Sequence, residues 1–244
     1  MQTKIIKKLK ELNIFLFTPQ DLRRVFNLSR GQSYNVLCQM QKQGLIHNLQ
    51  KGKYLLTEFD TLNKYSIYTI ASNLYHPSYI SFISALSFYQ LTDQLSKTVF
   101  IATVISKPKF ILQNTTLQFV KLSKNSFFGY RKEQNQEDEF FIAEPEKAIL
   151  DCLFLSRYSG GLSVIFEALN NLKSIDSQKF IEYGLKMRAK ILLKRLGFLL
   201  EKLDIDIYSQ IKNKIGASYT PLDPARNRLG SYNKKWKLII NFEL

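Results

Sequence analysis

The strongest constraint in this chain is a pair of helix starts, Thr18 and Ser29, separated by one short helix and a three-residue turn. In Thr18-Pro19-Gln20-Asp21 the threonine oxygen is placed to accept from a free amide of the first turn, the aspartate reaches back, and proline supplies a preset helical φ. Leu22, Val25 and Phe26 give this helix one apolar face, and Asn27-Leu28-Ser29 interrupts it with residues that favour turns and caps. Ser29-Arg30-Gly31-Gln32 fits a second capping box. Behind it Val36, Leu37 and Met40 recur at helical spacing until Gly44 stops the helix.

The face opposite those apolar residues carries Gly31, Asn35, Cys38 and Lys42, flanked by Arg30 and Tyr34. Arginine suits the O6 and N7 acceptors of guanine, asparagine suits adenine, and a small residue such as Gly31 lets a helix approach a groove closely. Leu45 to Leu49 and Lys53 to Leu56 then form two short strands around Gln50-Lys51-Gly52, where glycine permits a tight turn. Lys51 and Lys53 at the tip would lie beside the phosphates of a duplex that held the preceding helix in its major groove. Ile5, Leu9 and Leu12, spaced among Lys4, Lys7, Lys8 and Lys10, supply a third helix to cover the core. Residues 1–60 are thus expected to form a winged helix-turn-helix that binds double-stranded DNA. Its candidate contacts are Ser29, Arg30, Gln32, Tyr34, Asn35, Lys42, Lys51 and Lys53. The alternative is a small helical domain with a solvated basic face, since such shapes also serve protein contacts.

Charge supports a polyanionic partner. The chain of 244 residues carries a formal +15. Residues 1–60 hold 10 Lys and Arg against 4 Asp and Glu, net +6, while the other 184 residues hold 25 against 16, net +9. Charge density is therefore about twice as high in the first segment, and each phosphate neutralised there would release condensed counterions. Two cysteines, Cys38 and Cys152, and two histidines, His47 and His76, give neither a disulfide framework nor metal-ligand spacing. No apolar run approaches the length of a membrane span, so a cytoplasmic protein with no membrane partner is expected.

Thr57 to Lys64 is polar and lacks a helical face, which puts a boundary near residue 60 and a larger domain at 61–244. Ile67 to Tyr75 and Tyr79 to Gln90 have helical patterns. Between 98 and 142 β-branched and aromatic residues predict strands at Thr98 to Ile105, Phe110 to Leu112, Leu117 to Leu122, Phe127 to Lys132 and Glu139 to Ile142, with Asn114, Asn125 and Asn135 at turns. A small antiparallel sheet is expected there. From Pro145 the pattern returns to helix, through Ala148 to Leu153 and then about 162–171, 177–187 and 188–202, with one last strand at Trp236 to Phe242. The fold class is α+β, with the strand-rich part at 98–142 and a helical bundle at 145–215.

Several stretches, in order and spacing, resemble the AbiEi family of antitoxins. They are Tyr79-Ile80-Ser81-Phe82-Ile83-Ser84-Ala85-Leu86-Ser87, Leu91-Thr92-Asp93-Gln94, Val99-Phe100-Ile101-Ala102-Thr103, Phe128-Gly129-Tyr130, and Ile142-Ala143-Glu144-Pro145-Glu146-Lys147-Ala148-Ile149-Leu150-Asp151. The resemblance implies a transcriptional regulator of a type IV toxin-antitoxin, phage-defence system. In such a protein the N-terminal winged helix represses its own operon at inverted half-sites, and the C-terminal domain is needed to neutralise a nucleotidyltransferase-like toxin, without a stable complex being required. The alternatives are a stand-alone winged-helix regulator with a ligand-sensing or oligomerising C-terminal domain, and a nucleic-acid-processing enzyme.

Residue chemistry gives catalysis little support. Asp204 and Asp206 have a spacing that could hold Mg²⁺, but no Gly-Ser phosphate turn precedes them, and acidic residues there suit a helix start. Gly160-Gly161 lacks the Walker spacing. Glu144-Pro145-Glu146-Lys147 suits a strand-to-helix junction, with Lys147 and Asp151 paired four residues apart. A non-enzymatic protein without cofactors is expected. Lys186, Arg188, Lys190, Lys194 and Arg195 form a second basic cluster, either solvated or available to phosphates or an acidic partner. Pro221-Leu222-Asp223-Pro224 and Arg226-Asn227-Arg228 have the pattern of an exposed turn and a basic loop.

Overall fold

Two capping boxes set the geometry of the N-terminal elements. The computed structural model describes residues 2–50, 52–57, 66–112, 114–135 and 138–243, and they form a mixed α+β architecture. First come α1 (Gln2–Glu11), β1 (Leu16–Phe17), α2 (Pro19–Phe26), α3 (Arg30–Lys42), β2 (Ile46–Gln50) and β3 (Lys53–Leu56). Thr18 Oγ1 accepts from Asp21 N at 3.2 Å, and Asp21 Oδ2 accepts from Thr18 N at 2.8 Å. Asn27 ends α2 in the left-handed region at φ 51°, where asparagine is better tolerated than most residues. Ser29 Oγ and Gln32 Oε1 then repeat the reciprocal box, at 3.2 and 2.9 Å.

The strands pair antiparallel in the order β1-β3-β2. Ile5, Leu9, Phe17, Leu22, Leu37, Met40, Ile46 and Leu56 are buried together beneath the three helices and this sheet. Leu12, expected on the buried stripe, is 45% exposed. Helix α1 has ended at Glu11, and the left-handed turn at Asn13, φ 55°, redirects the chain before Leu12's face could continue. The expected boundary at residue 60 lies outside the described residues.

The larger part is built on a six-stranded sheet. After α4 (Ile67–Leu74) come β4 (Ser78–Ile80), α5 (Phe82–Phe88), β5 (Thr98–Thr103), β6 (Phe110–Leu112), β7 (Thr115–Lys121), β8 (Tyr130–Asn135) and β9 (Asp138–Ala143). The spatial order is β6-β7-β5-β4-β9-β8. The sheet is not wholly antiparallel: β5 runs parallel to β7, and β4 meets β9 in parallel at Ile80↔Ile142. The hairpin β6–β7 causes the first of these, because β6 reverses the chain before β7 returns beside β5.

The helix expected at Tyr79 to Gln90 is therefore shorter. Tyr79 and Ile80 face Ala102 and Ile101 across an antiparallel ladder, and a strand at the centre of a sheet is apolar on both faces, which blurs its period.

Helices α6 (Pro145–Phe154), α7 (Leu162–Asn170), α8 (Ser177–Lys186) and α9 (Lys190–Glu201) follow at the expected positions. After α10 (Tyr208–Ile211) comes a sheet of β10 (Thr220–Pro221), β12 (Leu238–Ile240) and β11 (Ser231–Asn233), of which only β12, within the stretch Trp236 to Phe242, was expected from the pattern. This sheet corrects two readings. Leu222 and Asp223 are buried rather than in an exposed turn. Lys194 and Arg195 are buried rather than solvated: Lys194 Nζ donates to the Ser218 carbonyl, and Arg195 Nη2 donates to the Pro221 carbonyl at 3.0 Å.

At the centre of α6, Lys147 and Asp151 form a fully buried ion pair. Ser81 Oγ donates to Asp151 Oδ2 at 2.8 Å, and the Tyr79 hydroxyl donates to it at 3.3 Å. Burial pushes the Asp151 carboxyl up and the Lys147 ammonium down, against the attraction each exerts on the other. The pair thus specifies geometry more than it adds stability. Lys147→Met is expected to cost about 3–5 kcal/mol in urea unfolding by stranding a buried carboxylate, whereas Lys147→Met with Asp151→Leu recovers most of it. A second test uses the single tryptophan, Trp236, whose buried ring lies against Gly197 of α9 where a Cβ would stand. Gly197→Ala is expected to displace the indole, red-shift its fluorescence and cost about 1–3 kcal/mol.

Candidate nucleic-acid interface

Helix α3 has two unlike sides. Val36, Leu37 and Met40 point into the core, so the remaining positions are turned outward by the 3.6-residue period. Arg30, Gly31, Gln32, Tyr34, Asn35, Gln39 and Lys42 are exposed, and Cys38 is partly covered. Tyr34 is 66% exposed, an unusual position for a large ring. A Cβ built on Gly31 would meet nothing within 4 Å, so no packing inside the chain demands glycine there. Neither Arg30 nor Lys42 is in an ion pair among the described residues, which leaves a guanidinium and an ammonium at the two ends of the exposed face.

Ser29 and Gln32 lie at the N-terminus of this helix, but each has one oxygen committed to the capping box. Gln32 keeps its amide protons for a further acceptor. Lys51 lies outside the described residues. Lys53 is turned away from the place expected of it: its Nζ donates to the Leu74 carbonyl and stands 4.9 Å from the centroid of the Tyr75 ring. Burial, and then the neighbouring Lys107 ammonium, hold its pKa below the usual lysine value. Lys107 lies 4.3 Å from the same ring centroid. Lys53 is therefore a fastener between β3 and the end of α4, rather than a side chain reaching out from the hairpin tip.

One residue was overlooked in the sequence. Gln39 is exposed four residues after Asn35, and its Oε1 accepts from Gln2 Nε2 of α1 at 3.0 Å. Its spacing from Asn35 was a sufficient signal for placing it on the same stripe.

The acidic pair considered for metal chemistry lies at the turn before α10. Asp204 occupies a left-handed turn at φ 61°, and Asp206 accepts from Tyr208 N at 2.8 Å while pairing with Lys235 at 3.3 Å. Among the described residues no group of three or more His, Cys, Asp or Glu side chains is arranged to hold a metal ion. Gly160 and Gly161, with φ of 81° and 115°, make the turn that precedes α7. No helix of the described residues is long and apolar enough to cross a membrane.

The inward turn of Lys53 has a measurable consequence. If the outer face of α3 binds duplex DNA, Lys53→Met is expected to leave the salt dependence of that binding unchanged, whereas Lys42→Ala reduces the slope of log K against log salt by about 1, both read by titration between 50 and 200 mM salt. Comparison with known proteins adds fold information only. No family model matches the chain, and no curated protein sequence does. Among solved structures the chain is similar to the crystal structure of the RV2827C protein from Mycobacterium tuberculosis, at 9% sequence identity, over 97% of this chain and 90% of that one, with a TM-score of 0.62.

Proposed function

We propose that this chain is a DNA-binding transcriptional repressor and antitoxin of the AbiEi type, reading its operator through a winged helix-turn-helix at residues 1–60. The observation that carries the DNA reading is the two-sidedness of α3: an apolar side locked into a core, and an outer side of Arg30, Tyr34, Asn35, Gln39 and Lys42. Thirteen residues of helix span roughly 20 Å, and a helix of ordinary diameter fits a major groove about 12 Å wide. Arg30 would address guanine and Asn35 adenine by paired hydrogen bonds. Tyr34 would add a contact surface, and Lys42 would meet a phosphate. Two copies on inverted half-sites about 34 Å apart would place both helices on one face of the duplex.

Neutralisation of a nucleotidyltransferase-like toxin is supported by the sequence resemblance over residues 79–151. Many of the resembling residues serve the framework. Tyr79, Ser81, Lys147 and Asp151 meet in the buried network of α6, and Gly129 O accepts from Glu144 N at 2.9 Å. Contact with a toxin, if it is made, therefore falls to other residues of the larger part.

The two activities are separable in the full chain. Arg30→Ala, Tyr34→Ala and Asn35→Ala combined are expected to weaken operator binding by at least about 100-fold, at roughly 1–3 kcal/mol per lost base contact, and to derepress a reporter driven by the chain's own promoter. The same variant is expected to rescue growth when co-expressed with the neighbouring toxin gene. Unchanged operator affinity in the folded triple variant rejects α3 as the reader. Failure of the wild-type chain to rescue growth rejects the antitoxin role.

A further inference from the structure

A cleft of about 530 Å³ opens on the larger part, lined by Lys124, Asn125, Phe127, Phe128, Leu185, Lys186 and Arg188. It joins the 3-10 turn at Lys124–Ser126 to the C-terminal end of α8. Lys124, Lys186 and Arg188 are exposed, and none is in an ion pair among the described residues. Three unpaired cations around one concavity repel one another and raise the local potential for an anion.

The cleft also has aromatic walls. Phe127 and Phe128 are half-buried, and Lys186 Nζ stands 4.2 Å from the Phe128 centroid. Their position is held from behind: Phe128 packs edge-on to Tyr183 at 5.1 Å, and Phe127 packs on Tyr79 at 4.9 Å. Gly129 makes this possible, because at φ 67° a Cβ there would come within 2.9 Å of Tyr183. Arg188 sits in the left-handed region at φ 55°, a conformation a non-glycine residue adopts at some cost, and it brings a guanidinium to the rim. Asn125 offers both a donor and an acceptor beside the rings.

We propose that this cleft binds a nucleotide unit, free or within a single strand, with its phosphate held by Lys124, Lys186 and Arg188 and its base against Phe127, Phe128 and Asn125. Cations beside partly accessible aromatic rings are the combination that recognises single-stranded nucleic acid, since every base presents a stacking face. The site is separate from α3 and does not depend on duplex reading. It gives a use to Lys186 and Arg188, which the fold leaves in solvent while burying Lys194 and Arg195 of the same basic cluster.

The test uses the full chain. A fluorescent single-stranded 10-mer is titrated by anisotropy, and adenosine monophosphate and pyrophosphate by calorimetry, with wild type, Lys186→Ala, Arg188→Gly and Lys214→Ala. Lys214 is exposed and outside the cleft. Arg188→Gly relieves the left-handed φ while removing the guanidinium, so its effect does not come from misfolding. The expected result is saturable binding of the 10-mer, weakened at least about 10-fold by Lys186→Ala and by Arg188→Gly, with Lys214→Ala and duplex affinity unchanged. Binding of the monophosphate as well assigns a free nucleotide, and binding of the 10-mer alone assigns a strand. Absence of binding overturns the proposal, as does equal loss in Lys214→Ala, unchanged affinity in both cleft variants, or pyrophosphate binding as tightly as the nucleotide.

Discussion

An ammonium and a carboxylate buried one turn apart on α6 force the surrounding chain to complete them. Lys147 and Asp151 cannot be left alone in an apolar interior, because the cost of an unpartnered charge there exceeds that of almost any other local defect. Ser81 and Tyr79 therefore have to reach them from the end of β4, which fixes α6 against the middle of the sheet. The ring of Phe128 stands 5.2 Å from Lys147 Nζ, so the segment before β8 is held by the same pair. The sheet centre, helix α6 and the aromatic corner at Phe127 and Phe128 are thus set by one pair of charges.

What could be foreseen followed the range of the forces involved. The capping boxes at Thr18 and Ser29, the buried stripe of Val36, Leu37 and Met40, and the four helices after Pro145 are local patterns, complete within a few residues. The short strand at Tyr79 and Ile80 was hidden because both its faces are covered, which removes the alternation that would mark it. The two other strands of the C-terminal sheet escaped because β10 has two residues and β11 three, too few to show a period.

Long cations were the least legible. Whether a lysine is solvated or buried depends on a distant acceptor: Leu74 for Lys53, Ser218 for Lys194. Nothing beside either lysine in the sequence announces that carbonyl. In the candidate interface, the exposed residues of α3 were recognisable from helical spacing alone, while the orientation of Lys53 was decided by tertiary structure.

The bond from Lys53 to the Leu74 carbonyl ties the hairpin of the N-terminal part to the last turn of α4, with Phe15 and Leu16 also packed against the larger core. A module joined only through its connecting peptide would swivel freely and meet two half-sites at any spacing the peptide allowed. One clamped through its own hairpin carries α3 at a fixed angle to the large sheet. The helix proposed to read DNA would then turn with the bulk of the protein rather than apart from it.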